Sequence, residues 1–181
     1  MRDLYTMLPN IQEKYESLRK KREDLLQQLG SLPSEELSFK AGPDKWSIVE
    51  VVEHLVIAEK DFLKQLSTNA LASNLDPESR TPEKYQTVIK VMERDIPVDV
   101  PDKSAEPHGR LTLEELLTQW DDIRRKLQGL LAEINTENKD NLIYRHPYGG
   151  PLDISETLHF TDVHFDNHVR HIDRILAQKK Q

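Results

Sequence analysis

Three capping boxes, Ser47 with Glu50, Thr112 with Glu115 and Asp153 with Glu156, each stand at the head of a long apolar stripe. In such a box the first side chain satisfies a free backbone N–H of the opening turn while the glutamate reaches back, so each marks a helix start. The stripe after Ser47 predicts a helix from Ile48 to about Ala72. After Thr112, Leu113, Leu116, Leu117, Trp120, Ile123, Leu127, Leu130, Leu131 and Ile134 recur at helical spacing. After Asp153 the pattern runs to about Leu176. Ahead of these, Ile11, Tyr15, Leu18, Leu25 and Leu29 predict a first helix from about Pro9 to Leu29, ended by Gly30 and Pro33.

Four long amphipathic stretches with little strand signal imply an all-α four-helix bundle. At 181 residues, residues 1–181 are expected to form a single domain with one core. Residues 73–109, rich in proline, carry one short helical pattern around Glu83 to Glu93. They predict a long connection between the second and third long helices, a crossover and partial lid. The segment Tyr144-Arg145-His146-Pro147-Tyr148-Gly149-Gly150-Pro151 is turn-rich and cannot continue a helix.

Composition narrows the function classes. Cysteine is absent, which removes disulfides, thiolate ligands and a cysteine nucleophile. Any thiol chemistry must therefore use a thiol cosubstrate. A net charge of −7 argues against nucleic acid as a partner, and the Lys20-Lys21-Arg22 cluster is interleaved with Glu16, Glu23 and Asp24 as on a solvated face. No run reaches membrane-spanning length, and Met1-Arg2-Asp3-Leu4-Tyr5 lacks a signal-peptide core, so a cytoplasmic location is the expectation.

The seven histidines are the chemically informative residues. With His164 at zero and about 100° per residue, His168 falls at about 40°, His171 at about −20° and His159 at about 220°. His164 and His168 thus stack one turn apart on an inward face, the spacing at which two imidazoles reach one metal ion, while His159 points away. His54, among Val51, Leu55 and Ala58, is the candidate third ligand. Burying three imidazoles without a shared partner would leave polar nitrogens unsatisfied, and one divalent cation would satisfy one nitrogen of each. The competing reading is of core histidines satisfied by backbone or carboxylates. Asp61 and Glu50 lie near the His54 stripe and could orient ligands, but a solvated residue or helix cap is the preferred reading of each. His171 could contact a ligand or sit satisfied in the core. His146 and His108 are expected at the surface, and Trp46 and Trp120 as core anchors.

Trp46-Ser47 with Glu50, His54-Leu55, His146-Pro147 with Gly149-Gly150-Pro151-Leu152, and His164 and His168 followed by His171-Ile172 together resemble the DinB/YfiT-like superfamily of metal-binding four-helix bundles. The likeness covers about Trp46 to Leu176 and rests on the order and separation of motifs that are individually short. It implies a bundle of that type with the long crossover, a divalent-metal site at His54, His164 and His168 completed by water, and a homodimer. His171 stands where many members have glutamine, a departure that leaves the ligands intact. The function implied is a divalent-metal-dependent enzyme activating a thiol cosubstrate, as an S-transferase, or water, as a hydrolase. One ion per chain is expected, zinc or nickel ahead of iron or another metal, with a small-molecule substrate that includes a low-molecular-weight thiol. The alternative is a non-catalytic metal- or small-ligand-binding helical module.

Overall fold

The computed structural model describes residues 7–70, 75–94 and 103–180. Among these, α1 (Pro9–Gly30), α3 (Ile48–Asn69), α5 (Leu113–Ala132) and α6 (Ile154–Lys179) are the four long helices. All three capping boxes form, the N-cap oxygen of Ser47, Thr112 and Asp153 accepting from the glutamate N–H three residues on. Helix α3 stops at Asn69 with Ala70 as its cap, and residues 71 and 72, which the apolar pattern included, lie outside the described part. Met1–Tyr5 also lies outside it.

The side-chain bonds between helices fix their directions. Ser17 with Asp162, Lys21 with Asp166 and Gln28 with Asp173 are each separated by 145 residues. A constant offset means that α1 and α6 run parallel and in step. Between α1 and α5 the order reverses: Tyr15 donates to the Arg124 carbonyl at 3.0 Å, while Arg22, further along α1, meets Asp121 at 2.6 Å. On α3, Glu53 accepts from Gly109 N just before α5, and Glu59 meets Arg124 further along it, so α3 and α5 are parallel. The resulting order, two helices one way and two the other, requires the expected crossover between α3 and α5.

The crossover contains α4 (Pro82–Glu93), which the sequence pattern had placed around Glu83 to Glu93, and it packs along α6. Tyr85 donates to the Glu156 carbonyl at 3.3 Å, and the Met92 carbonyl accepts from Asn167 at 3.1 Å and Arg170 at 2.7 Å. A short turn of helix, α2 (Ser34–Leu37), lies between α1 and α3.

The core holds Leu18, Leu66, Trp120, Leu127, Phe165 and Ile172, all nearly inaccessible. Within it Glu59 accepts two bonds from Arg124, at 2.6 and 2.5 Å, a bidentate pair that neutralises two buried charges. Trp120 is the core anchor expected of it. The Lys20-Lys21-Arg22 cluster is only partly a solvated face. Lys20 pairs with Asp24, but Lys21 bridges Asp162 and Asp166 of α6, and the Arg22 guanidinium lies 4.9 Å over the Trp120 ring. Helical spacing showed only the acidic partners on its own helix.

One element departs from the all-helical pattern. Strands β1 (Tyr144–His146) and β2 (Gly150–Leu152) form an antiparallel hairpin in which Tyr144 faces Leu152 and His146 faces Gly150. Three residues are too few to show a period of two, and the glycines and prolines read as turn alone. The hairpin is fastened to α3 by Asn69 donating to the Ile143 carbonyl at 3.2 Å and by Arg145 N–H donating to Gln65 at 2.8 Å.

Candidate metal centre

The capping box at Ser47 sets the start of α3, so that His54 comes round to the bundle interior two turns later, between Val51 and Leu55. On α6, His164 and His168 face it one turn apart. The Nε2 atoms meet: His54 to His164 at 3.2 Å, and His168 to His164 at 3.1 Å. One nitrogen from each ring lies within 4.8 Å of the other two, and the three residues could hold a metal ion. His54 is buried, whereas His164 and His168 keep partial exposure.

Hydrogen bonding decides what these nitrogens offer. His54 Nδ1 lies 2.7 Å from the Ala105 carbonyl. A carbonyl only accepts, so Nδ1 carries the hydrogen and Nε2 presents a bare lone pair. A neutral His164 has one ring hydrogen for two short contacts at the same nitrogen, so it cannot serve both in good geometry. Charging the rings is no escape. Burial holds His54, His164 and His168 below the ordinary histidine range, and for His164 repulsion from His54 and His146 adds to it. His168 Nδ1 is buried without a hydrogen-bond partner. Convergent neutral nitrogens that cannot all pair with one another fit a shared divalent cation, and imidazole suits zinc, nickel, iron and copper.

Around the trio the walls are largely aromatic. Trp46, half-buried at the end of the loop before α3, lies 5.1 Å from the His54 ring and stacks at 6.4 Å on His168 and 6.1 Å on His171. It packs against the core, as expected, and is also a wall of the site. Phe160, one turn before His164, stacks on it at 5.5 Å. A small cavity beside His164 is bordered by Leu55, Ala58, Phe62, Tyr144 and Phe160.

The chain belongs to the DinB superfamily. The family's model matches residues 17–172, from within α1 through the hairpin to within α6. No curated protein matches the chain. The motifs that suggested this DinB-superfamily assignment now have positions: His54, His164 and His168 come together, His171 flanks them, and the His146-Pro147 segment forms the hairpin turn.

His159 is outside the trio, but it is no free surface residue, since Tyr85 Oη lies 2.8 Å from its Nδ1. His108 is exposed, as expected. Glu50 is the helix cap, bonded to Ser47 N–H at 2.8 Å and to Lys40 at 2.6 Å. Asp61 accepts from Gln65 at 2.7 Å and is not in the trio. His146 is the clear correction: it is 5% exposed, on β1, with its ring edge-on to Phe160 at 4.6 Å. Two further residues gave no signal beforehand. The Ala105 carbonyl orients His54, and buried Glu53 accepts from Gly109 N–H at 2.8 Å, so the crossover is tied to α3 beside the site. A backbone carbonyl has no sequence signature, and Glu53 is simply one of many helical glutamates.

Proposed function

We propose that this protein is a divalent-metal-dependent enzyme, a thiol S-transferase or a hydrolase, holding one ion per chain through His54, His164 and His168. The observation that carries the reading is the meeting of three Nε2 atoms at 3.1 and 3.2 Å. Structural zinc sites are normally closed by four protein ligands, whereas three leave room for a reactant. Bound there, zinc or nickel, or iron as a less favoured choice, lowers the pKa of a coordinated thiol or water to give a nucleophile at neutral pH.

The chain's own groups have definable parts. The Ala105 carbonyl fixes the His54 tautomer, which keeps Nε2 unprotonated and directed at the site. Trp46 and Phe160 limit water beside the histidines and strengthen electrostatic interactions there. Because the chain has no cysteine, a thiol nucleophile comes with a small cosubstrate. Further parts of the proposal are a one-domain chain acting in the cytoplasm as a homodimer, on small molecules rather than nucleic acid or membranes. No helix among the described residues is long and apolar enough to cross a membrane.

Turnover by zinc- or nickel-loaded protein against a panel of low-molecular-weight thiols with electrophiles, and of amides and esters, tests the reading. Activity is expected to vanish on exhaustive chelation and to return with metal. Stoichiometric metal binding with no turnover across the panel would favour a non-catalytic module instead. Activity that survives confirmed metal loss would refute the metal-dependent mechanism.

A further inference from the structure

His146 is built into the hairpin with more care than a turn residue requires. Its Nδ1 accepts two backbone N–H bonds, from Gly149 at 2.8 Å and Tyr148 at 3.2 Å. A Cβ on Gly149 would meet that Nδ1 at 3.2 Å and the ring's Cγ at 3.4 Å, so the glycine lets the backbone close on the imidazole. Phe160 packs edge-on against the ring at 4.6 Å, and His146 is almost wholly buried. A nitrogen that accepts two N–H bonds carries no hydrogen of its own, so the neutral ring must hold its hydrogen on Nε2. Nε2 lies across the ring from the turn. The same Phe160 stacks on His164 at 5.5 Å. Phe160 thus touches both the fixed N–H donor ring and a histidine of the cluster.

We propose that His146 is a binding residue of the site, its Nε2–H donating a hydrogen bond to an anionic or oxygen-bearing group of the small molecule held at the metal. This rests on the metal reading of His54, His164 and His168. It assigns the neighbouring donor that selects among ligands: a group able to accept a hydrogen bond is favoured over an apolar one of equal size, because an imidazole N–H left unpaired in a dry pocket is costly. The hairpin thereby becomes a part of the site.

Two substitutions separate this role from simple support of the turn. His146→Asn places its amide oxygen near the position of Nδ1, keeping an acceptor for Gly149 and Tyr148 while removing the Nε2 donor. His146→Gln extends an amide N–H towards the position of Nε2 while giving up the turn acceptor. Cobalt-loaded proteins, titrated with azide as a small anionic probe, report metal uptake and anion binding in the visible spectrum. The expected result is full cobalt uptake by all three proteins. Azide binding should weaken about tenfold in His146→Asn, the loss of one hydrogen bond, and stay within about threefold of the wild type in His146→Gln. Thermal melting should show the opposite order, with the Gln variant the less stable.

An Asn variant that binds azide as the wild type does would overturn the proposal while leaving the metal site standing. A wild-type protein that takes up no cobalt would overturn the metal reading and the proposal together. Nitrogen-15 spectra of the wild-type histidines need no variant to fold: the expected His146 tautomer has its hydrogen on Nε2, and one with the hydrogen on Nδ1 refutes the assignment.

Discussion

His159 and His164 are five residues apart on α6 and belong to different networks. The first bonds Tyr85 on α4, and the second sits between His54 and His168. Purified protein should bind one divalent ion per chain, His168→Ala should lose most of that binding, and His159→Ala should keep it at a stability cost of about 1 kcal/mol. Elemental analysis of the two variants checks the contrast, and equal metal loss in folded proteins would contradict it. The 3.6-residue period made this difference legible in the sequence, because on a helix direction follows from number. It could not do so for His146 or Trp46, whose directions depend on the path of a hairpin and a loop. His146 carries a second consequence. Burial lowers its pKa from the ordinary 6.5 to about 4, so the unfolded chain takes up a proton on acidification before the folded one does. Stability from this group is therefore complete above about pH 6.5 and lost as pH falls towards 4, by about 3 kcal/mol in all. Urea unfolding of metal-free protein across that range should show a shallower pH dependence in His146→Gln. An unchanged slope would mean that the histidine is already solvated in the fold.

Helix starts were legible because a capping box is local chemistry, complete within four residues and independent of the rest of the fold. Thr112→Ala should accordingly cost about 1 kcal/mol, seen as a melting temperature lower by a few degrees, with metal binding unchanged. The crossover is different. Its proline content identifies a connection, but its ties to the site include, among the described residues, the Ala105 carbonyl and the Gly109 N–H. Gly109 has φ of +64°, and a Cβ there would meet Glu50 Oε1 at 3.1 Å. Gly109→Ala should therefore be less stable by about 1–2 kcal/mol and should speed amide exchange across residues 103–111. Wild-type exchange rates in that segment would show that the turn tolerates the methyl. The hairpin stayed hidden for a related reason. Its strands are held by partners on α3, Asn69 and Gln65, that lie over seventy residues away.

The ion proposed here would join α3 to α6, so unfolding must pull its ligands apart. A hundredfold excess over Kd should stabilise the fold by about 2.7 kcal/mol and raise its melting temperature by several degrees. His54→Ala should abolish most of that rise. Most of the core needs no ion to be buried, Leu18, Trp120, Leu127 and Leu131 among it, and chelated protein should keep its helical circular dichroism at room temperature. Loss of most of the signal would make the metal a structural requirement. The bundle class was readable from four apolar stripes, whereas helix order came only from bonds between distant residues, because periodicity says which face is buried and not against what. The pairing of α1 with α6 at a spacing of 145 residues also bears on how the chain folds. Closing so long a loop costs about 4 kcal/mol in chain entropy before any contact compensates it. During synthesis α1 must wait for the final helix, which also brings His164 and His168. The nascent chain therefore gains its bundle and two of its three proposed ligands in the same late step, and a ribosome-stalled fragment ending before Asp153 should remain protease-sensitive even with metal present.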